Sequence, residues 1–103
     1  MRVFVGKTPW RIFIVDDIPG ALESMYGRPV AGLDKKTVGY TDIVNKTILL
    51  KRKKSAEQVA STYFHELLHA ACPEMSEKRV YHIERTLFKI LWKGGWRPDI
   101  LYR

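Results

Sequence analysis

The segment from Ser55 to Pro73 constrains the fold of this chain most, because its sequence marks both ends of a helix. Ser55 is followed by Gln58 in the capping-box pattern, in which the serine hydroxyl accepts a hydrogen bond from the amide three residues later. Proline lacks the amide hydrogen that a continuing helix needs. The sequence therefore predicts a helix that begins at Ala56 and ends near residue 71 or 72.

A second helix is predicted directly downstream. Ser76 and Glu77 are residue types that open helices, and Gly94–Gly95 would end this one. The link between the two helices is short, so we expect them to pack as antiparallel neighbours. The apolar residues that recur at helical spacing, and that we expect to face inward, are Val80, Ile83, Leu87, Ile90 and Leu91.

The first half of the chain reads as short strands. Residues 10–15 form an apolar run typical of a buried strand, and a short helix is predicted over residues 21–26. Residues 37–44 and Thr47–Lys51 read as two strands joined by a tight hairpin at Asn45-Lys46, with Asn45 in the left-handed conformation. With 103 residues, we expect one small α+β domain spanning residues 1–103.

Composition narrows the compartment and the partners. A single cysteine, Cys72, excludes an intrachain disulfide, and no run of about 20 apolar residues is present to cross a membrane. No signal-peptide pattern is seen, so the expected location is the cytosol. The net charge of +7 and the basic run Lys51–Lys54 would suit nucleic acid, with Trp10, Tyr40 and Trp96 available for stacking. A solvated connection is the more usual role of such a run, so nucleic acid is not the favoured partner.

The first predicted helix contains a His-Glu-x-x-His pattern, formed by His65, Glu66 and His69. Histidines four residues apart project from one helix face, where both rings can bind one zinc ion, and the glutamate between them can reach a water molecule. On a helical wheel Ser61 and Thr62 share the histidine face. The opposite stripe, which we expect to pack on the sheet, consists of Ala60, Phe64, Leu67 and Ala71.

Together with the preceding hairpin and the following helix, this motif resembles the HExxH zincin-type metallopeptidases, in particular short phage-encoded ones that are little more than a minimal zincin core. The resemblance covers roughly residues 37–92. It implies a short β-sheet packed on the HExxH helix, an antiparallel C-terminal helix, a Zn²⁺ site with one further ligand from that helix, and an edge strand beside the cleft. For a phage-encoded protein the compartment would be the host cytosol.

Among the candidates for the third ligand, Glu84 is favoured. It lies near the centre of the apolar face of the second helix, where an uncompensated carboxylate is costly, and the resemblance also implies a glutamate in this segment. Glu77 at the exposed helix start, His82 on the solvent side and Cys72 at the end of the first helix remain alternatives.

The favoured function is zinc-dependent hydrolysis of peptide bonds in a peptide or protein substrate, with Glu66 as general base. The substrate would pair with an exposed sheet edge, expected at Thr47–Lys51. The two rival functions are a catalytically inert zinc-binding protein, structural or partner-binding, and a basic nucleic-acid-binding module. The group that stabilises the oxyanion is not selected by spacing, and the residues with suitable groups are Tyr40, Tyr63, Tyr81 and His82.

Overall fold

The computed structural model describes residues 1–53 and 55–102. Strands and helices are combined in a small α+β fold, as the sequence predicted. In chain order the elements are β1 (Arg2–Val5), β2 (Thr8–Val15), α1 (Ile18–Tyr26), β3 (Gly39–Asp42), β4 (Thr47–Lys51), α2 (Ala56–Ala71), α3 (Glu77–Lys93) and a 3₁₀ turn at Asp99–Tyr102.

The four strands form one mixed sheet in the order β1-β2-β4-β3. The outer pairs, β1–β2 and β3–β4, are antiparallel, whereas the central pair, β2–β4, is parallel. The prediction that Thr47–Lys51 forms an exposed edge is therefore wrong, because β4 is paired on both sides. The edge strand of this half of the sheet is β3.

The burial of β4 explains its central position. Ile48, Leu49 and Leu50 are all fully buried, so this strand is covered on both faces. A continuous apolar run is typical of such a strand, whereas a strand with one solvated face alternates apolar and polar residues. Ile48 and Leu50 pack toward α2 with Val59, and Leu49 packs toward α1 with Leu22.

The predicted limits of the two long helices are confirmed. The Ser55 hydroxyl accepts a hydrogen bond from the amide of Gln58 at 3.3 Å, and Ser76 caps α3 in the same way through Arg79 at 3.2 Å. Contacts between the helices pair His69 with Glu77, His65 with Glu84 and Phe64 with Phe88. That order of contacts is the one expected of antiparallel helices.

The N-terminal part departs from the prediction at two places. Helix α1 begins at Ile18, earlier than predicted, because Asp17 caps it by accepting from the Gly20 amide at 2.8 Å and Pro19 occupies its first turn. Strand β1 was not predicted. It pairs with β2 through a tight turn in which Gly6 adopts a φ of +63°.

The hairpin between β3 and β4 forms as predicted, but its turn differs. The strands are separated by residues 43–46, and the positive φ of 50° belongs to Lys46 rather than to Asn45. Asn45 instead folds back on Asp42, donating from its backbone amide at 3.0 Å and from its side-chain amide at 2.8 Å. The Tyr26 hydroxyl donates to the same carboxylate and so ties α1 to the hairpin.

Helix α3 packs with a narrower face than predicted. Val80 and Phe88 are buried, whereas Leu87, Ile90 and Leu91 are exposed, contrary to the prediction. Helix α3 packs on α2, so its inward line follows residues 80, 84 and 88 rather than the whole apolar stripe. In α2, which is covered by both the sheet and α3, Val59, Tyr63 and Ala70 are buried, but Ala71 is exposed.

Among the residues described, no helix has the length and apolar character that would let it cross a membrane.

Candidate metal centre

Two histidine rings from successive turns of α2 meet at one point. The Nε2 atoms of His65 and His69 lie 3.2 Å apart. The carboxylate of Glu77, in the first turn of α3, reaches both rings, with its two oxygens 2.7 Å from the Nε2 atom of His65 and 2.9 Å from that of His69. These three side chains form a group that could hold a metal ion.

Glu84 contacts the opposite side of the first histidine. Its Oε1 atom lies 2.8 Å from the Nδ1 atom of His65, and its side chain is 19% exposed. A carboxylate at Nδ1 favours the tautomer with the proton on that nitrogen, which leaves the lone pair of Nε2 directed at Glu77 and His69. The prediction that Glu84 faces inward is confirmed, but the structure brings Glu77 rather than Glu84 to the Nε2 atoms.

The antiparallel packing of α3 on α2 accounts for this arrangement. Helix α3 starts opposite His69, so its first turn carries Glu77 to the exposed end of the histidine pair. Glu84 lies two turns further along and faces the inner side of His65. The other two alternatives are not in the group: Cys72 is the half-buried C-terminal cap of α2, and His82 lies exposed on α3.

Glu66 lies beside the histidines on the sheet side of α2 and is only 7% exposed. The Thr41 hydroxyl of β3 donates to its Oε1 atom at 2.8 Å, and its Oε2 atom lies 4.0 Å from the Nε2 atom of His65. Burial raises the pKa of Glu66 above its usual range, although the Thr41 hydrogen bond and the neighbouring histidines oppose that rise. A carboxylate with a raised pKa accepts a proton more readily at neutral pH.

Gly39 makes room for this carboxylate. A Cβ atom built on Gly39 would lie 2.6 Å from the Oε2 atom of Glu66, closer than side chains tolerate. The sequence contained a signal for this contact, since a glycine inside a strand pattern often marks a close approach to the backbone. Its partner could not be deduced from the sequence, because β3 and α2 are distant along the chain.

An open cleft of about 590 Å³ lies over the histidines. One wall is the segment 36–41, which includes the start of the edge strand β3, and the floor includes Ser61 and Thr62 of α2. The prediction that these two small polar residues share the face of the histidines is confirmed. Tyr40 and Tyr81 also line it, and the Tyr81 ring centroid lies 4.7 Å from that of His65.

The remaining tyrosine that the sequence offered as an oxyanion stabiliser lies elsewhere. Tyr63 is 5% exposed and belongs to the core beneath the sheet, and burial raises the pKa of its phenol, with a further contribution from Asp99. His82 is not among the residues lining the described cleft. Of the four groups considered, the cleft thus retains Tyr40 and Tyr81.

Comparison of the chain with protein-family models, with curated proteins and with solved structures finds no match. What the site does is therefore inferred from its own geometry.

None of the three aromatic residues named for stacking beside the basic run is fully exposed: Trp10 is buried, and Tyr40 and Trp96 are half-buried. Trp10 is 3% exposed, and Trp96 packs against Phe64 and Phe88. Lys51 donates from its ammonium group to the backbone oxygen of Lys35 at 2.6 Å. The last residue of the run, Lys54, lies outside the described residues.

Proposed function

We propose that this protein is a minimal zincin-type metallopeptidase that binds one zinc ion through His65, His69 and Glu77. The observation that carries the proposal is the convergence of two imidazole Nε2 atoms and one carboxylate, at 2.7 to 3.2 Å from one another, beside a buried glutamate. The sequence motif alone required only that the two histidines share a helix face.

The donor set fits zinc in a catalytic rather than a purely structural role. Two histidines and one glutamate are a known ligand set of catalytic zinc, which keeps its fourth position open. Donor atoms at tetrahedral corners about 2.0–2.1 Å from zinc lie roughly 3.3 Å apart. The observed separations of 2.7, 2.9 and 3.2 Å are slightly shorter, so a small outward movement of the exposed Glu77 side chain would accommodate the ion.

In the proposed reaction zinc supplies Lewis acidity, which acidifies water and polarises the peptide carbonyl. Glu66 takes the proton of the attacking water and later delivers it to the leaving amine. Because its Oε1 atom accepts from Thr41, the oxygen that accepts this proton is Oε2, which faces His65. Glu84 holds the His65 ring in the orientation that points Nε2 at the metal position.

The edge of β3 offers the place for an extended substrate. The amide of Lys51 donates to the carbonyl of Val38. In an antiparallel ladder every second residue is hydrogen-bonded to the neighbouring strand, so the backbone groups of Tyr40 and Asp42 also form hydrogen bonds with β4. The backbone groups of Gly39 and Thr41 consequently point away from β4, along the wall of the cleft. A peptide added there as a further strand would lie across the His65–His69 pair.

The proposal is tested by separating metal binding from proton transfer. Glu66→Gln should keep about one zinc per chain, measured by elemental analysis, yet lose hydrolysis of a peptide library followed by mass spectrometry, because an amide cannot accept the proton. Glu57→Gln is the matched control, since it neutralises an exposed glutamate of the same helix. Hydrolysis by Glu66→Gln at the wild-type rate would exclude Glu66 as the base.

The ligand assignment is tested by a second pair of variants. Glu77→Ala should weaken zinc affinity by more than about 100-fold, whereas Glu84→Ala should weaken it by about 10-fold, within the range for residues that orient a ligand. Competition with a chromophoric chelator measures both affinities. The reverse order of the two losses would return the ligand role to Glu84.

A further inference from the structure

A second surface, on the face of the sheet opposite α2, combines positive charge with an exposed aromatic ring. Cross-strand pairing places Arg2 beside Arg11 and Phe4 beside Pro9, so these four side chains share one face. Trp10 and Ile12, which alternate with them along β2, point to the other face and join the α2 core. We call these four residues, together with Lys7 in the turn that joins the two strands, the β1–β2 face.

Helix α1 leaves this part of the sheet uncovered. Its buried side chains, Ile18 and Leu22, pack on Leu49 and the half-buried Phe13, further along the same face. All five residues of the β1–β2 face are exposed, and Phe4 retains 64% of its accessible surface. The Phe4 ring thus presents most of its surface to solvent.

The charge around this ring is positive. Residues 1–15 contain Arg2, Lys7 and Arg11 but no aspartate or glutamate. Within the described residues, none of these three cations is within ion-pair distance of a carboxylate, whereas Arg52 pairs with Asp16. The guanidinium group of Arg2 lies 5.8 Å from the centroid of the Phe4 ring.

We propose that the β1–β2 face binds single-stranded nucleic acid, with phosphates contacting Arg2, Lys7 and Arg11 and an unpaired base stacked on Phe4. Binding of single strands without sequence preference has two components. Cations contact the phosphates of the nucleic-acid backbone, and an aromatic ring stacks with a base. A duplex would meet the same charges, but its base faces are hidden within the stack. This activity is separate from the proposed hydrolysis, since the site lies on the opposite face of the sheet from α2.

The other possible occupants fit this face less well. A protein partner would need a cluster of buried anchors, and Phe4 is the only large apolar side chain among the five residues. A single phenylalanine also gives little anchorage in a membrane. A second copy of the chain would bring like charges together, Arg2 and Arg11 against their counterparts.

The test is fluorescence anisotropy with a labelled 20-nucleotide oligo-dT and, in parallel, a mixed-sequence duplex of the same length. Phe4→Ala should weaken oligo-dT binding about 10-fold, from the loss of one stacked base, and leave duplex binding unchanged. Arg2→Ala/Arg11→Ala should weaken both and lower the slope of log affinity against log salt for oligo-dT by about 1.4, the value for two phosphate contacts. The matched control, Arg79→Ala/Lys89→Ala, removes the same charge from exposed positions of α3 and should change oligo-dT affinity less than about twofold.

Several results would overturn the proposal. They are absence of oligo-dT binding by the wild type at 50 mM salt, equal losses in the control and the arginine variant, and unchanged oligo-dT affinity in Phe4→Ala. Phe4→Leu controls for misfolding, because it keeps an apolar side chain at this position but has no aromatic ring. Its oligo-dT affinity should fall as much as that of Phe4→Ala. Binding to phosphatidylserine vesicles, or self-association, that depends on Phe4 in the absence of oligo-dT binding would assign the face to a membrane or a second copy instead.

Discussion

One carbon atom added at Gly39 would disturb the site. Its own backbone runs along the cleft, and the space where a Cβ atom would lie is filled by the carboxylate of Glu66. Thr41, on the same strand, holds the other oxygen of that carboxylate. Strand β3 therefore sets the position of the proposed base from both sides, although neither residue belongs to the motif that marks the site.

We predict that Gly39→Ala retains zinc but loses most hydrolysis. Displacing the Glu66 carboxylate by about 1 Å should lower the rate on the order of 10²-fold, because proton transfer depends on close geometry. The measurement is peptide cleavage together with zinc content. Gly94→Ala is the matched control, since Gly94 has an ordinary φ of −76° at the far end of α3. Full activity in Gly39→Ala would show that the carboxylate can move without consequence.

At the scale of elements, the β3 edge is where substrate recognition can be examined directly. We predict that a peptide bound to Glu66→Gln slows hydrogen exchange at the amides of Gly39 and Thr41, which point away from β4. The amides of Tyr40 and Asp42 should change little, because they already bond β4. Residue-resolved exchange measured by NMR tests this alternation. Protection of β1 amides instead of β3 amides would place the peptide at the other edge of the sheet.

Asp42 joins two elements, α1 and the β3–β4 hairpin, and makes their contact sensitive to acid. Burial acts to raise the pKa of Asp42, but hydrogen bonds from Tyr26 and Asn45 outweigh it, so the net shift is downward. A carboxyl group whose pKa is lower in the native state contributes stability that is present above its unfolded pKa and is lost as the pH falls through the native pKa.

The Asp42→Asn variant should therefore be less stable than the wild type by about 1–2 kcal/mol at pH 7, with a smaller difference at pH 3. Urea unfolding at the two pH values measures both differences. Asp34→Asn, which changes an exposed aspartate in a loop, is the control. A difference between Asp42→Asn and the wild type that grows as the pH falls would contradict the direction of the pKa shift.

At the scale of the whole molecule, local signals in the sequence predicted the limits of the helices better than they predicted which strands pair with one another. The caps of Ser55 and Ser76 are local, and both long helices formed within the predicted limits. Strand β1 was missed because four residues are too few to show a clear alternation of apolar and polar side chains. The central position of β4 was missed because it depends on parallel pairing with β2, which is distant along the chain.

The identity of the third metal ligand could not be predicted from the sequence for the same reason, because it depends on contacts between separate elements. A helical wheel showed that Glu84 faces inward, which the structure confirms, but not which nitrogen of His65 it would meet. That depends on where α3 starts relative to His69, and hence on how the link between the helices folds. In the sequence Glu77 stands at a helix start, where a negative charge is favourable in any helix. Its side chain is exposed in the structure as well, so burial gave no sign of a ligand role.

The most direct test of the metal site is a zinc anomalous difference map from crystals grown with one equivalent of zinc. We predict a single peak about 2.0–2.2 Å from the Nε2 atoms of His65 and His69 and from a carboxylate oxygen of Glu77. Glu84 should remain hydrogen-bonded to the Nδ1 atom of His65, outside the coordination sphere. A map with no peak at these residues, or with Glu84 or Cys72 bound to the metal in place of Glu77, would contradict the proposed site.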